Sequence, residues 1–203
     1  MKKIISSLVI LLMCFALITP INALASDDNI VTGEYVAYNH IDTGKQVVVT
    51  ITNTSTVDIS TTVSVKYFDA NGKEIPTYSK DIVTFEAGRT AIIAFDNPKD
   101  YETFNVGVYV SLDYYLKGQG VANYIVPNIL NWRNYIYFAS VKNESLYTVK
   151  SINYSVIYYK GDTIIKVVEK SYEDLKSLYT MTTWEHGNDE YDNIKVNIND
   201  AYY

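Results

Sequence analysis

The sequence is poor in the residues that most often carry chemistry. It has one cysteine, two histidines and four prolines among 203 residues. The cysteine, Cys14, sits inside an apolar run near the amino terminus. Met13 before it is not the small residue a lipoprotein acceptor site wants, so Cys14 reads as part of that run. The rest of the chain therefore holds no thiol nucleophile, no disulfide and no cysteine metal ligand. Small secreted eukaryotic domains are usually stapled, so a cysteine-free exported chain fits a bacterial envelope or secreted protein. The histidines, His40 and His186, lie in opposite halves of the chain and read as loop residues. A triad needs nucleophile, base and orienting acid within reach, and no Gly-x-Ser-x-Gly elbow is present. There is no His-Glu-x-x-His zinc motif and no glycine-rich phosphate loop. Adjacent carboxylates such as Glu173 and Asp174 fall in a predicted turn, with nothing to mark a glycosidase cleft. The expectation is a protein that is not an enzyme.

Basic charge is also scarce. The formal net charge is −6. An acidic chain repels phosphate backbones, which excludes nucleic acid as an expected partner. Residues 26–118 carry 13 acids against 7 bases, and residues 119–203 carry 10 against 8. The acidity therefore belongs mainly to the first half.

What is present begins with a leader. Lys2 and Lys3 precede an apolar run from Ile4 to Ile18, followed by Pro20 and Ala23-Leu24-Ala25. A charged start, an apolar stretch and a small-x-small site describe a signal peptide over residues 1–25. The run is shorter than the ~20 residues that span a bilayer comfortably. An uncleaved anchor with a short span is the alternative. Cleavage would remove Lys2 and Lys3, taking the charge from −6 to −8. No Leu-Pro-x-Thr-Gly signal or second apolar span follows Ala25, so no membrane span is expected in the mature chain. It should be released, or held at the surface through a partner.

Beyond the leader the composition favours strands. There are 20 tyrosines, with many valines, isoleucines and threonines, residues that suit a pleated, half-buried surface. Alternation supports this. Val47, Val49 and Ile51 share one face, with Val48, Thr50 and Thr52 on the other. Val63, Val65 and Tyr67 alternate with polar residues, as do Ile152, Tyr154, Val156 and Tyr158. Asn71-Gly72 and Gly161-Asp162 mark hairpins. Two stretches remain open to a helical turn. One is Pro127–Trp132; the other, Tyr172–Tyr179, aligns with a strand–turn–strand.

The chain also says nearly the same thing twice. A shift of about ninety positions lays Asn143 on Asn53 and Tyr191–Val196 on Tyr101–Val106. A one-residue adjustment lays Val156–Lys160 on Val65–Asp69. A shortened turn lays Tyr172–Ser177 on Phe85–Thr90. The expected fold is all-β: two tandem immunoglobulin-like antiparallel β-sandwiches, residues 26–115 and 121–203, joined by a short linker, 116–120.

Asn53, then Val63–Asp69, then Asn71-Gly72-Lys73, then Phe85-x-Ala87-Gly88 and a valine-rich closing strand resemble FxLYD-type domains. The second half keeps Asn143, with Lys160 for the Asp and Leu175 for the Gly. The resemblance implies small immunoglobulin-like sandwiches in exported proteins of Gram-positive bacteria. It carries no catalytic role and no site residues.

Two candidate sites follow from side-chain chemistry. Trp132, Tyr135 and Tyr137 form a candidate ligand-binding platform for sugar rings or a protein, since tyrosine and tryptophan join a large apolar body to a polar tip. The loop Glu185, Asn188, Asp189, Glu190 and Asp192 offers oxygens for a weak calcium ion, although its spacing is not that of an EF-hand. A merely solvated loop is the competing reading, and no other cofactor is expected. The tyrosines Tyr114, Tyr115 and Tyr124, with Trp132, are expected to cover the junction between the sandwiches. The functional expectation is an exported, non-catalytic binding or structural protein, secreted or held at a bacterial cell surface. Its partner would be an extracellular protein or an envelope glycan; a carbohydrate-binding module is the alternative.

Overall fold

The computed structural model describes residues 31–111, 118–131, 136–186 and 191–203. The leader, residues 116 and 117 of the linker, Trp132 and Tyr135 lie outside them.

The described residues are almost entirely antiparallel strand. The first half contains β1 (Val31–Thr32), β2 (Val36–Asp42), β3 (Gln46–Asn53), β4 (Ile59–Phe68), β5 (Tyr78–Phe85), β6 (Thr90–Asp96) and β7 (Thr103–Ser111). The second contains a 3-10 turn at Ala122–Tyr124, then β8 (Ile125–Asn131), β9 (Ile136–Asn143), β10 (Val149–Lys160), β11 (Thr163–Leu175), β12 (Thr180–His186) and β13 (Asn193–Tyr202). Pro127–Asn131, open to a helical turn by sequence, is strand β8. Its proline causes no break because β8 is an edge strand, where a missing N–H costs no ladder bond. Glu173 and Asp174 lie at the end of β11 rather than in a turn, and His40 lies on β2 rather than in a loop.

Four sheets result. Sheet I has the order β1-β2-β3-β6 and sheet II the order β5-β4-β7. Sheet III has β8-β9-β12 and sheet IV has β11-β10-β13. Sheets I and II enclose one core, with Val47, Val49, Ile51, Val65, Tyr67, Phe85 and Phe95 buried between them. Sheets III and IV enclose another around Val141, Ile152, Tyr154, Val156, Tyr158 and Ile198. Strand order is the same in both sandwiches once β1 is set aside. The alternating faces read from the sequence are the faces that meet in these cores.

The asparagine turns agree bond for bond. Asn53 Nδ2 donates to Val57 O at 2.9 Å and Phe85 O at 2.8 Å, while its Oδ1 accepts from Ser55 N and Ser55 Oγ. Asn143 Nδ2 donates to Tyr147 O at 2.8 Å and Leu175 O at 2.9 Å, and its Oδ1 accepts from Ser145 N and Ser145 Oγ. Both asparagines are fully buried, and each amide satisfies a buried carbonyl, Phe85 O or Leu175 O, that water cannot reach. Arg89 O accepts from Asn53 N just as Tyr179 O accepts from Asn143 N. The next turn is therefore not shortened in the second half. Gly88, with φ +73°, is matched by Leu178, with φ +62°, and not by Leu175.

The one-residue adjustment is real. Tyr67 pairs with Phe104 and Tyr158 with Ile194. Its counterpart is a bulge on β13: Asn153 pairs with Asp200 and Tyr154 with Ile198, leaving Asn199 as the extra residue. A bulge re-aims a side chain, and this one acts between the sandwiches.

Candidate functional site

The sandwiches are docked through an apolar seam. Val48 and Ala94, on the outward face of sheet I, pack with Ile157 and Val167 of sheet IV, and all four are buried. Ile41 and Ile92 flank them. This explains why Val48, an apolar residue on an otherwise polar face of β3, is there. Of the residues expected to cover this boundary, Tyr114, Tyr115 and Trp132 lie outside the described residues, and Tyr124 is 56% exposed. Branched aliphatics fill the seam because two β-sheet faces approach closely there.

Around the seam, side chains stand in for a missing strand. Strand β6 is an edge of sheet I, so the outer backbone groups of Ile92 and Ala94 need partners. Asn199 Oδ1 accepts from Ile92 N at 2.9 Å, and Asn199 Nδ2 donates to Ile92 O at 3.1 Å. Glu169 Oε1 accepts from Ala94 N at 2.6 Å, and Lys80 Nζ donates to Ala94 O. Lys80 and Glu169 also pair at 3.0 Å. Asp200 Oδ2 accepts from Val83 N on β5, and Gln46 holds both the N–H and the carbonyl of Val167. The bulge at Asn199 is what brings its amide to β6.

At the near end of the seam the turn after β5 meets the start of the second sandwich. Glu86 Oε1 accepts from Ala122 N at 2.7 Å, and Arg89 Nη1 donates to Asn123 Oδ1 at 2.9 Å. Burial pushes the Glu86 carboxyl up and the Arg89 guanidinium down. A side chain at Gly120 would meet Glu86 Cγ at 2.5 Å, so glycine is required for this close approach.

Clefts of about 620 and 610 Å³ flank the seam. Charged groups in each are already engaged. Lys80 and Glu169 hold β6 in the first. Asp42, in the second, accepts from Tyr101 OH at 2.6 Å and from Asn97 Nδ2 at 2.9 Å. His40 packs edge-on against Phe104 at 5.4 Å, and burial lowers its pKa, which keeps it neutral at pH 7.

A different surface carries exposed apolar side chains. Ile41, Val48 and Ala94 form one cross-strand row on sheet I. The shared asparagine turns place Leu130, Phe138 and Trp184 in the corresponding row on sheet III. Val48 lies five residues before Asn53 as Phe138 does before Asn143, and Ala94 follows Arg89 by five as Trp184 follows Tyr179. The first row lies under sheet IV. In the second, Leu130 is 59% and Trp184 63% exposed, with Phe138 half-buried between them. The Phe138 and Trp184 rings meet edge to face at 5.3 Å and 64°. They make a ridge rather than a coplanar floor.

The sequence-selected residues fall elsewhere. Tyr137 is half-buried and packs on the inner side of sheet III against Tyr191, at 6.0 Å, and the second core. It does not stand on an exposed platform, because odd and even positions of β9 face opposite ways and Phe138 takes the outer one. Trp132 and Tyr135 lie outside the described residues, as do Asn188, Asp189 and Glu190 of the acidic loop. Glu185 belongs to β12, and the Asp192 carboxylate accepts from Gly161 N, holding the β10–β11 hairpin. Among the described residues no three His, Cys, Asp or Glu side chains gather to hold a metal ion, and no helix is long and apolar enough to cross a membrane. Leu130 and Trp184 were legible in the sequence only as apolar residues out of phase with the core-facing set.

No protein-family model matches the chain, and no curated protein matches it.

Proposed function

We propose that this is an exported, non-catalytic binding or structural protein that works at or outside a bacterial cell envelope through its sandwich surfaces. One observation carries the reading: Leu130 and Trp184 expose an apolar row on sheet III, in the position that sheet I uses to dock a neighbouring sandwich. Large exposed apolar side chains in one contiguous row mark interaction surfaces, and tryptophan is enriched among residues that dominate binding energy. The leader and the lack of cysteine beyond it support export. The duplicated sequence pattern and the FxLYD-like turns support a pair of related modules whose role is contact. A protein partner fits the row better than a sugar, because rings inclined at 64° give a pyranose no flat surface to lie on.

The test is retention of the purified chain on envelope fractions of the producing cell. Trp184→Lys is expected to lose retention while keeping the melting temperature. Equal retention by the variant, or substrate turnover by the pure protein, would sink the reading.

A further inference from the structure

We infer that the Leu130–Trp184 row pairs with the same row of a second copy of this chain, forming a two-fold dimer through sheet III; this rests on the binding reading above and names its partner. The placement comes from the molecule's own seam. Row for row, Ile41–Val48–Ala94 is the site at which the first sandwich accepts another sheet, and Leu130–Phe138–Trp184 is its counterpart. The substitutions between the rows enlarge the apolar side chains, with Ala94 giving way to Trp184 and Val48 to Phe138. A face selected only for contact with water would not carry them.

The identity of the occupant follows from what this chain can offer. In the seam, a sheet face bearing Ile157 and Val167 covers the row. That face is used within the chain and is not free to serve a neighbour. The corresponding outward face of sheet II presents Thr62, Lys66, Ser79 and Asp81, with one exposed aromatic ring, Tyr109, lying over Gly107 and the buried Ser64. Its polarity makes it a poor cover, so head-to-tail addition of chains has no matching surface. Among the described sheet faces, the row itself is the apolar one left to complement the row. Like surfaces that meet about a two-fold axis form a closed pair, whereas unlike surfaces build open chains. Charge favours the same end of the molecule. The half holding sheet III is nearly balanced, with 10 acids against 8 bases, while the first half carries the excess of acid that would oppose close approach.

The experiment is sedimentation equilibrium on the chain from Ser26 onward, which contains every strand and both cores. The wild type is expected to show the mass of two chains at tens of micromolar. Trp184→Lys and Leu130→Lys should each weaken the dimer by about 30-fold or more, the effect of losing a central anchor, with unchanged circular dichroism and, in protein too dilute to dimerise, an unchanged melting temperature. Leu146→Lys, on a turn residue 85% exposed and outside the row, should leave the dimer intact. A single-chain mass up to about 1 mM, where only very weak association would go unseen, overturns the proposal. So does a dimer indifferent to Trp184 and Leu130. A mass that climbs past two chains also overturns it, since the row would then meet a different patch, such as Leu178 and Tyr179. If the chain is monomeric yet Trp184→Lys still abolishes envelope retention, the second copy is refuted while the binding reading stands.

Discussion

The two sandwiches share a strand order and a buried asparagine turn, and differ in what lies across their equivalent outer faces. On sheet I, a row of modest aliphatic residues is sealed by sheet IV. On sheet III, larger side chains occupy the same row, with Leu130 and Trp184 in solvent. The difference teaches that burial is not a property of a strand position. Val48 and Phe138 answer to the same register, and only the presence of a neighbour makes one a core residue.

The asparagine turns should be the costliest place to break the pair. Asn53→Ala or Asn143→Ala leaves the buried carbonyl of Phe85 or Leu175 without its side-chain partner and removes the acceptor of the Ser55 or Ser145 N–H, and each should lower stability by about 2–3 kcal/mol in chemical denaturation. A clear inequality between them would show that the two turns are not energetic equivalents. The rows should diverge next. Val48→Ala removes buried methyl groups from the seam and should cost about 2 kcal/mol, whereas Trp184→Ala in the single chain should change stability by less than about 0.5 kcal/mol. If both are costly in dilute protein, the exposed row is not exposed in solution.

A smaller contrast lies at the turns before β6 and β12. Gly88 and Leu178 both hold positive φ, which penalises a side chain bearing Cβ. Leu178→Gly should therefore stabilise by about 1 kcal/mol or less, and Gly88→Leu should destabilise by about 1–2 kcal/mol; thermal melts would read both.

The smallest effect is one of pH. Burial, with the hydrogen bond to Asp42, pushes Tyr101 up to about 12. An unfolded tyrosine ionises near 10, so between pH 10 and 12 the unfolded state sheds its proton first. The contribution present below pH 10 is lost as pH rises, and Tyr101→Phe should flatten that part of the stability curve. An unchanged slope would mean the Asp42–Tyr101 contact does not persist in solution.

Most of the strands were legible from alternation, because every second residue of a half-buried strand must face the core. The turns were legible for a related reason. Asn71-Gly72 and Gly161-Asp162 supply backbone freedom that few other residues have, and Gly72 and Gly161 both take positive φ. Strand β8 was harder to read, since Pro127 removes an N–H and argues against a strand until its edge position is known. Of the platform residues Trp132, Tyr135 and Tyr137, only Tyr137 is described, and its alternation with Phe138 sends it inward toward Tyr191. Leu178 was missed as the counterpart of Gly88 because a leucine at positive φ carries no local signature.

The sequence alone determined an all-β chain and the faces that line the two cores, because these follow from side-chain period and turn chemistry within a few residues. Only the tertiary structure decided that Val48, Ala94, Ile157 and Val167 form a third buried cluster, that Asn199 and Glu169 complete the edge of β6, and that the row at Leu130 and Trp184 faces water. An apolar residue on the outer face of a strand has the same local pattern whether or not a second sheet lies across it, and that neighbour comes from a part of the chain distant in sequence.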